Sequence, residues 1–438
     1  MTRRKPSQRA ISILEVAFLL LILAIQFLLM TSDFRTAGHV ASRLVASNSD
    51  EEDLLWFAQI TDVHIGKTAA RPIALKTFLS LLNEAVNPAF VINTGDLVEG
   101  DYRAVEPDLS EWITYDSTIS EIVDELNFPY YDLPGNHDNL DNNNLTLYKQ
   151  YSHLGKTYGT IHASWRIEKG NKTAQFVGIS TVDVISGESQ ISYEGLITES
   201  ELAYLRAALE QPADIKIVFG HHSPVETEWG YHIKGTPEKE ALLELLQTSE
   251  VVLYANGHRH KERIVINDGT VFATCDNWPY FRLAAVDLKR GQTSFFRYSA
   301  NPLTWPLILP VFPINQSQVV QPQGDLSQEI PFEVLVFSRS AVSSVSVDAG
   351  NGDWVDLRNA GTYIWKLPEN EHLEASNDTI KFKATDQFGR RREISLTIER
   401  KGAMNSKTDK AAIDLFTTIF AVVLATLPIY VLRRKANK

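Results

Sequence analysis

Five short polar clusters in this 438-residue chain each follow an apolar, strand-like run. They are Asp62-Val63-His64, Gly95-Asp96, Gly135-Asn136-His137-Asp138, Gly220-His221-His222 and Gly257-His258-Arg259-His260. Asp, Asn and His side chains are metal ligands, and a set of hard oxygens and imidazoles with no thiolate suits Mn, Fe or Zn. In Asp62-x-His64 and His258-x-His260 the i and i+2 side chains would leave one face of an extended strand, so each pair is expected to reach one ion. The glycines permit sharp turns and close backbone approach. Two divalent ions would bring four positive charges. Asp62 and Asp96 would return two and a bridging hydroxide a third, leaving a site attractive to a phosphoryl anion. Each cluster alone has a plainer reading, since Asp-x-His is a common pattern by chance and Gly, Asn and Asp are ordinary turn residues. All five in order, in the same context, point to one metal site.

The elements that must position these residues follow from the hydrophobic pattern. "LLWFAQITDVH" reads as a strand ending in polar residues, "PIALKTFLSLLNEAV" as an amphipathic helix and "AFVINTGDL" as the next strand. Helical patterns at 110–126, 198–210 and 237–248 alternate with strand-like runs at 128–133, 215–220 and 250–255. That alternation implies βαβ units, whose strand ends gather loop residues at one rim. "TIHASWRIE" with "TAQFVGISTVD" predicts a β pair, and "ERIVINDGTVFAT", "YFRLAAVDL" and "TSFFRYS" predict consecutive strands. Residues 301–329, rich in proline, read as a linker. From 330 to 402, short strand-like runs split by Gly, Asn and Asp predict a small all-β, immunoglobulin-like sandwich.

Two longer apolar stretches set the expected topology. "ISILEVAFLLLILAIQFLLM" (11–30) and "IDLFTTIFAVVLATLPIYVL" (413–432) each have 20 residues, and about 1.5 Å per residue gives the thickness of a bilayer core. Arg3, Arg4, Lys5 and Arg9 precede the first; Arg433, Arg434, Lys435 and Lys438 follow the second. The positive-inside rule puts both termini in the cytosol and the bulk of the chain in the endomembrane lumen or outside the cell. The expected divisions are a cytosolic N-terminus and signal anchor (1–34), a catalytic domain (54–300), the linker, the β-sandwich (330–402) and a C-terminal transmembrane helix with a cytosolic tail (411–438). Four acceptor sequons, at Asn144, Asn171, Asn315 and Asn377, fall on the non-cytosolic side and predict a glycoprotein. The formal charge is −12, and eight of the 42 Lys and Arg lie at the two ends, so the middle is acidic. No binding to a nucleic-acid backbone is expected. The single cysteine, Cys275, excludes an intrachain disulfide.

At these five clusters, over residues 56–300, the sequence resembles the calcineurin-like metallophosphoesterase superfamily. Most of the chain resembles, more loosely, the transmembrane protein 62 type of membrane-anchored phosphoesterase. The resemblance implies a four-layer α/β/β/α sandwich with a binuclear metal centre of two divalent or trivalent ions. By position, Asp62, His64 and His260 would hold one ion, Asp96 would bridge, and Asn136, His221 and His258 would complete the other. His137 would contact the phosphate and donate a proton to the leaving group, with Glu99 at the position of an acidic partner. His222 is not expected to be a ligand, and Arg259 faces phosphate or solvent. A metal-bridging hydroxide would be the nucleophile. The substrate would be a phosphomonoester or phosphodiester: a lipid or glycolipid head group such as ethanolamine phosphate, or a nucleotide. The alternative is a non-catalytic metal-binding scaffold that binds a protein partner through both globular parts. Two spans with no paired charge at mid-depth make a poor transporter.

Overall fold

The computed structural model describes residues 53–101, 106–140, 144–182, 193–228, 231–321, 323, 326 and 330–399. The apolar stretches at 11–30 and 413–432 lie outside the described residues. Among the described residues no helix is long and apolar enough to cross a membrane.

The chain begins β1 (Leu54–Ile60), α1 (Arg71–Ala85), β2 (Val91–Asn93), α2 (Leu109–Ser120), β3 (Tyr130–Asp132), α3 (Thr146–Tyr151) and α4 (His153–Tyr158). It continues with β4 (Ala163–Lys169), β5 (Lys172–Gly178), α5 (Glu199–Leu209), β6 (Ile215–Phe219), α6 (Pro237–Thr248) and β7 (Val251–Asn256). Next come β8 (Arg263–Asn267), β9 (Thr270–Thr274), β10 (Tyr280–Asp287) and β11 (Gln292–Ser299). One sheet has the order β11-β10-β1-β2-β3 and a second the order β4-β5-β6-β7-β9-β8. β1, β2 and β3 are mutually parallel, as are β5, β6, β7 and β9.

The period-2 alternation of β1 shows how the layers form. Trp56, Ala58 and Ile60 face one core, shared with Leu75, Phe78, Leu79 and Leu82 of α1. Those four helix positions recur at intervals of three and four, the stripe a helix needs to cover a sheet. Leu55 and Phe57 face the other way, into the space between the sheets, where they meet Phe90, Trp165, Phe176 and Phe219. Phe57 and Phe90 stack there at 4.8 Å. On the far side of the second sheet, Leu202 and Leu205 of α5 and Leu242 and Leu246 of α6 cover Val177, Val218 and Tyr254. The layer order is therefore helix, sheet, sheet, helix, as the sequence pattern and the resemblance imply.

The remaining strands are β12 (Leu307–Phe312), β13 (Glu333–Phe337), β14 (Val342–Asp348), β15 (Trp354–Asp356), β16 (Arg358–Asn359), β17 (Ile364–Lys366), β18 (Thr379–Asp386) and β19 (Arg391–Thr397). They make two four-stranded sheets, β12-β13-β17-β16 and β15-β14-β18-β19. Their shared core contains Ile308, Val334, Val336, Val347, Phe382 and Leu396. The linker reading is corrected here: residues 307–312 are a strand, paired antiparallel with β13 from Leu307–Phe337 to Phe312–Glu333. Pro310 sits within it because β12 is an edge strand of its sheet, where a missing N–H breaks no interior ladder. Of the four sequon asparagines, Asn144, Asn171 and Asn377 are exposed and Asn315 is half-buried.

Candidate metal centre

All seven expected ligands lie just past the carboxyl ends of parallel strands. Asp62 and His64 follow β1, Asp96 follows β2, Asn136 follows β3, His221 follows β6, and His258 and His260 follow β7. Backbone bonds extend the first sheet into these loops: Asp62 N–H donates to the Gly95 carbonyl (2.9 Å) and His64 N–H to that of Asp96 (3.0 Å). The second sheet does the same through Gly257 N–H and the His221 carbonyl (3.1 Å).

The strand-geometry expectation fails for one pair and holds for the other only by different means: His258 groups with His221 and His222, while His260 groups with Asp62, His64 and Asp96. β1 ends at Ile60, and Asp62, His64, Asp96, His258 and His260 all have left-handed backbone, with φ from 48° to 71°. Non-glycine residues rarely adopt this region, and each costs on the order of 1–3 kcal/mol. Five such residues around one spot mark a site where side-chain direction overrides backbone comfort. Two glycines answer the crowding. Gly95 has φ +114°, and a Cβ there would meet the His221 ring and the Gly135 backbone. Gly135 has an unexceptional φ; a Cβ on it would run into Asp96.

The side chains converge. Asp62, His64, Asp96 and His260 offer ligand atoms all within 4.8 Å of one another. His260 Nε2 lies 2.9 Å from Asp62 Oδ1 and 3.3 Å from His64 Nε2. His221 Nε2 lies 3.2 Å from Asn136 Oδ1 and 3.3 Å from Asp96 Oδ1, so Asp96 stands between the two groups. The Thr94 carbonyl accepts from His221 Nδ1 (2.8 Å), which turns Nε2 toward these oxygens. Imidazole ligands commonly have their other nitrogen fixed in this way. Asp138 accepts from the N–H groups of Leu97 (2.9 Å), Val98 (3.2 Å) and Gly135 (2.8 Å), tying the Asn136 turn to the Asp96 loop.

Burial alone would raise the Asp96 carboxyl; the imidazoles of His221, His137 and His64 reverse this and hold it well below the usual carboxylate range. Asp62 is likewise held at about 2, against the effect of its burial, by His260 and His221. Burial opposes a charged His221, but the Asp96 carboxylate pushes it up to about 9. Buried carboxylates that draw protons onto their neighbours are asking for cations, and a metal meets the same demand while releasing those protons. Asp96 Oδ2 and Asn136 Nδ2 are buried without a hydrogen-bond partner, and Asp62 Oδ1 faces the His260 imidazole. The donor set and the unpartnered Asp96 oxygen fit divalent ions.

Three residues differ from expectation or extend it. His137 does meet residue 99, but its Nδ1 donates to the Glu99 carbonyl (2.7 Å). The Glu99 carboxylate goes instead to His64 Nδ1 (3.0 Å), and Lys67 Nζ is 3.7 Å away. The longer glutamate side chain passes His137 and reaches His64. His222 groups with His221 and His258 within 4.8 Å, its Nδ1 paired with Thr181 Oγ1 (2.9 Å). Arg259 does not reach inward: Glu226 and Glu228 each hold its guanidinium at 2.7 Å. Sequence reasoning missed Thr94, Arg71 and Glu111. Arg71 donates to the Val63 carbonyl, and Glu111 accepts from Gly100 N–H (2.7 Å). No motif marks them, because they act through backbone groups.

Residues 55–262 match the family model of calcineurin-like phosphoesterases. The chain is 26% identical over 267 residues to an Arabidopsis thaliana protein named as a metallophosphoesterase, covering 56% of this chain and 35% of that one. It is 22% identical over 419 residues to transmembrane protein 62 of Mus musculus, covering 87% of this chain and 62% of the mouse protein. An Arcobacter nitrofigilis protein named as a glycerophosphodiester phosphodiesterase is 28% identical over 253 residues, covering 54% of this chain and 83% of its own. The chain thus spans less than two thirds of the length of the first two relatives.

Proposed function

The chain carries a calcineurin-like phosphoesterase domain at residues 55–262, and from that premise we propose that it is a membrane-anchored, binuclear-metal hydrolase of phosphoric esters. The observation that carries the proposal is the convergence of buried Asp62, His64, Asp96, Asn136, His221 and His258, with His260, from five strand ends of two sheets. Asp62, His64 and His260 would hold one ion and Asn136, His221 and His258 the other, with Asp96 standing between the two groups. When bound, the ions supply Lewis-acid charge and a nucleophile at neutral pH. The protein's own groups do the rest. His137 is half-buried and its main-chain N–H donates to Asp96 Oδ1 (3.0 Å), which fixes its place beside the centre. With Nδ1 committed to the Glu99 carbonyl, Nε2 is the nitrogen that delivers a proton to the departing oxygen. Asp138 keeps the Asn136 turn against the Asp96 loop so that both approach from fixed directions.

The substrate is a phosphomonoester or phosphodiester, with a lipid or glycolipid head group or a nucleotide as the organic part. The name of the Arcobacter relative supports a diester, and that of the mouse relative supports a membrane setting. The apolar stretches at 11–30 and 413–432 anchor the chain, with the centre on the non-cytosolic side. The test is to purify the chain, measure its metals, and screen mono- and diesters beside Asp96→Asn. Two metal equivalents with turnover in the wild type, both reduced in the variant, are expected. Absence of metal and turnover in the wild type would remove the enzyme reading. A biological role that survives Asp96→Asn would favour the scaffold.

A further inference from the structure

Beneath the candidate centre one arginine crosses the interior between the sheets. Arg282, on β10 of the first sheet, is 1% exposed. Its Nη1 donates to Gln59 Oε1 on β1 (2.9 Å) and to the Ala273 carbonyl on β9 of the second sheet (3.1 Å). Its Nη2 donates to Glu262 Oε1 (2.7 Å) and to the Thr274 carbonyl (2.9 Å). The Gln59 amide in turn donates to Thr94 Oγ1 and to the Asn256 carbonyl, both at 3.2 Å. The Asn256 amide donates to the Gly257 carbonyl and Thr274 Oγ1, both at 3.1 Å. The Phe295 ring lies 4.5 Å under the guanidinium.

This network meets the segments that carry Asp62, His64, Asp96, His258 and His260, and through Thr94 it touches His221. Gln59 is three residues before Asp62 and Thr94 two before Asp96, and the Thr94 carbonyl accepts from His221 Nδ1. Asn256 is two residues before His258 and Glu262 two after His260. Around it the inter-sheet layer is packed with apolar side chains such as Phe57, Phe90, Phe176 and Phe219. Apolar contacts are non-directional, so they hold two sheets together without fixing their relative slide to a fraction of an ångström. A metal pair fed by both sheets needs that tolerance, of about 0.5 Å. A buried guanidinium is costly for stability alone, but its planar fork fixes several acceptors at once in a way an ammonium does not.

We infer that Arg282 is a positioning residue, the hub of a polar staple with Gln59, Asn256 and Glu262 that sets the register of the two sheets and so the spacing of the metal centre. The inference rests on the binuclear-metal reading above.

The test uses the full-length chain, freed of metal and titrated with Mn²⁺, for the wild type, Arg282→Lys and Glu262→Gln. Calorimetry reads the affinities, electron paramagnetic resonance reads the coupling between two manganese ions, and thermal melting of the metal-free protein reads the fold. The wild type is expected to take two Mn²⁺ with an exchange-coupled spectrum. Both variants are expected to bind the second Mn²⁺ at least tenfold more weakly and to lose the coupled signal, while still melting cooperatively. Variants that melt lower yet keep wild-type affinity and coupling would overturn the inference and leave Arg282 a purely structural residue. If Arg282→Lys fails to fold, Glu262→Gln, at the half-exposed end of the staple, decides by the same readouts. A wild type that binds no Mn²⁺ pair would overturn the metal-centre reading itself, and the staple with it.

Discussion

The side chain whose role can be separated most cleanly from the rest is His137. Asp96 receives its main-chain N–H and the Glu99 carbonyl its Nδ1–H, so two bonds orient a ring that lies 4.6 Å from that of His64. A proton donor matters in proportion to how badly the leaving oxygen needs the proton. His137→Ala should therefore lower kcat on an alkyl phosphate ester by about 10²–10⁴. On a p-nitrophenyl ester, whose leaving group departs as a stable anion, the loss should be far smaller, with metal content unchanged. Equal losses on both substrates, in steady-state assays, would remove the proton-donor role. The candidate ligands were legible because each is announced locally, by a Gly, Asp, Asn or His cluster at the end of an apolar run. The residues that aim them were not. Arg282 and Gln59 are 223 positions apart and Glu262 sits in a loop between them. The one sequence signal was an arginine inside the otherwise apolar run "YFRLAAVDL", a charge that a buried strand admits only with partners.

At the scale of elements, most strands and helices up to residue 300 were legible from hydrophobic period; the six-residue α3 and α4 were too short to show a period, and the turns were less legible still. β12 was hidden because Pro310 interrupts "LILPVF" and Pro302, Pro306 and Pro313 flank it, and only the tertiary position of an edge strand makes a proline tolerable there. The β18–β19 turn shows how one buried acid organises such a connection. Asp386 accepts from Phe388 N–H and Arg390 N–H (both 3.0 Å), Arg390 Nε (2.6 Å) and Ser340 Oγ (2.9 Å). Burial would raise its carboxyl, but Arg390, Ser340 and the two amides outweigh it and lower it from 3.8 to about 2. A depressed folded-state value means stability that is fully present above the unfolded value and is lost as pH falls through the folded one. Asp386→Asn should therefore lower the melting temperature at pH 7, and the gap between variant and wild type should close as pH falls from about 4 to about 2. A gap that stays constant over that range, followed by calorimetric melting, would show that the ionised form contributes nothing.

For the whole molecule the telling feature is that the two globular parts share a core. Leu307, Leu309 and Val311 of β12 and Leu335 and Phe337 of β13 belong to the same apolar cluster as β1 and α1 of the preceding α/β layers. Trp56 makes ring contacts with Phe337 at 5.6 Å and Tyr363 at 5.5 Å. Polar contacts also cross the boundary: Arg290 with Glu333 at 2.7 Å, and Arg339 with Glu84 at 3.1 Å. The second pair is half in solvent on both sides, and exposed ion pairs contribute about 0–1 kcal/mol. Fully burying one aliphatic or aromatic side chain contributes about 1.5–3 kcal/mol, so five of them rival the total stability of about 5–15 kcal/mol of a whole domain. The apolar contact wins, and the β-sheets at 307–399 act as a structural half of the domain before them. A chain cut after Ala300 should expose Trp56 and its neighbours, and emerge insoluble or with a melting temperature well below that of a chain covering 53–399. The longer chain should melt in a single transition by calorimetry. Two well-separated transitions in the longer chain, or a soluble shorter chain with unchanged melting, would mean that the shared core does not couple the two parts.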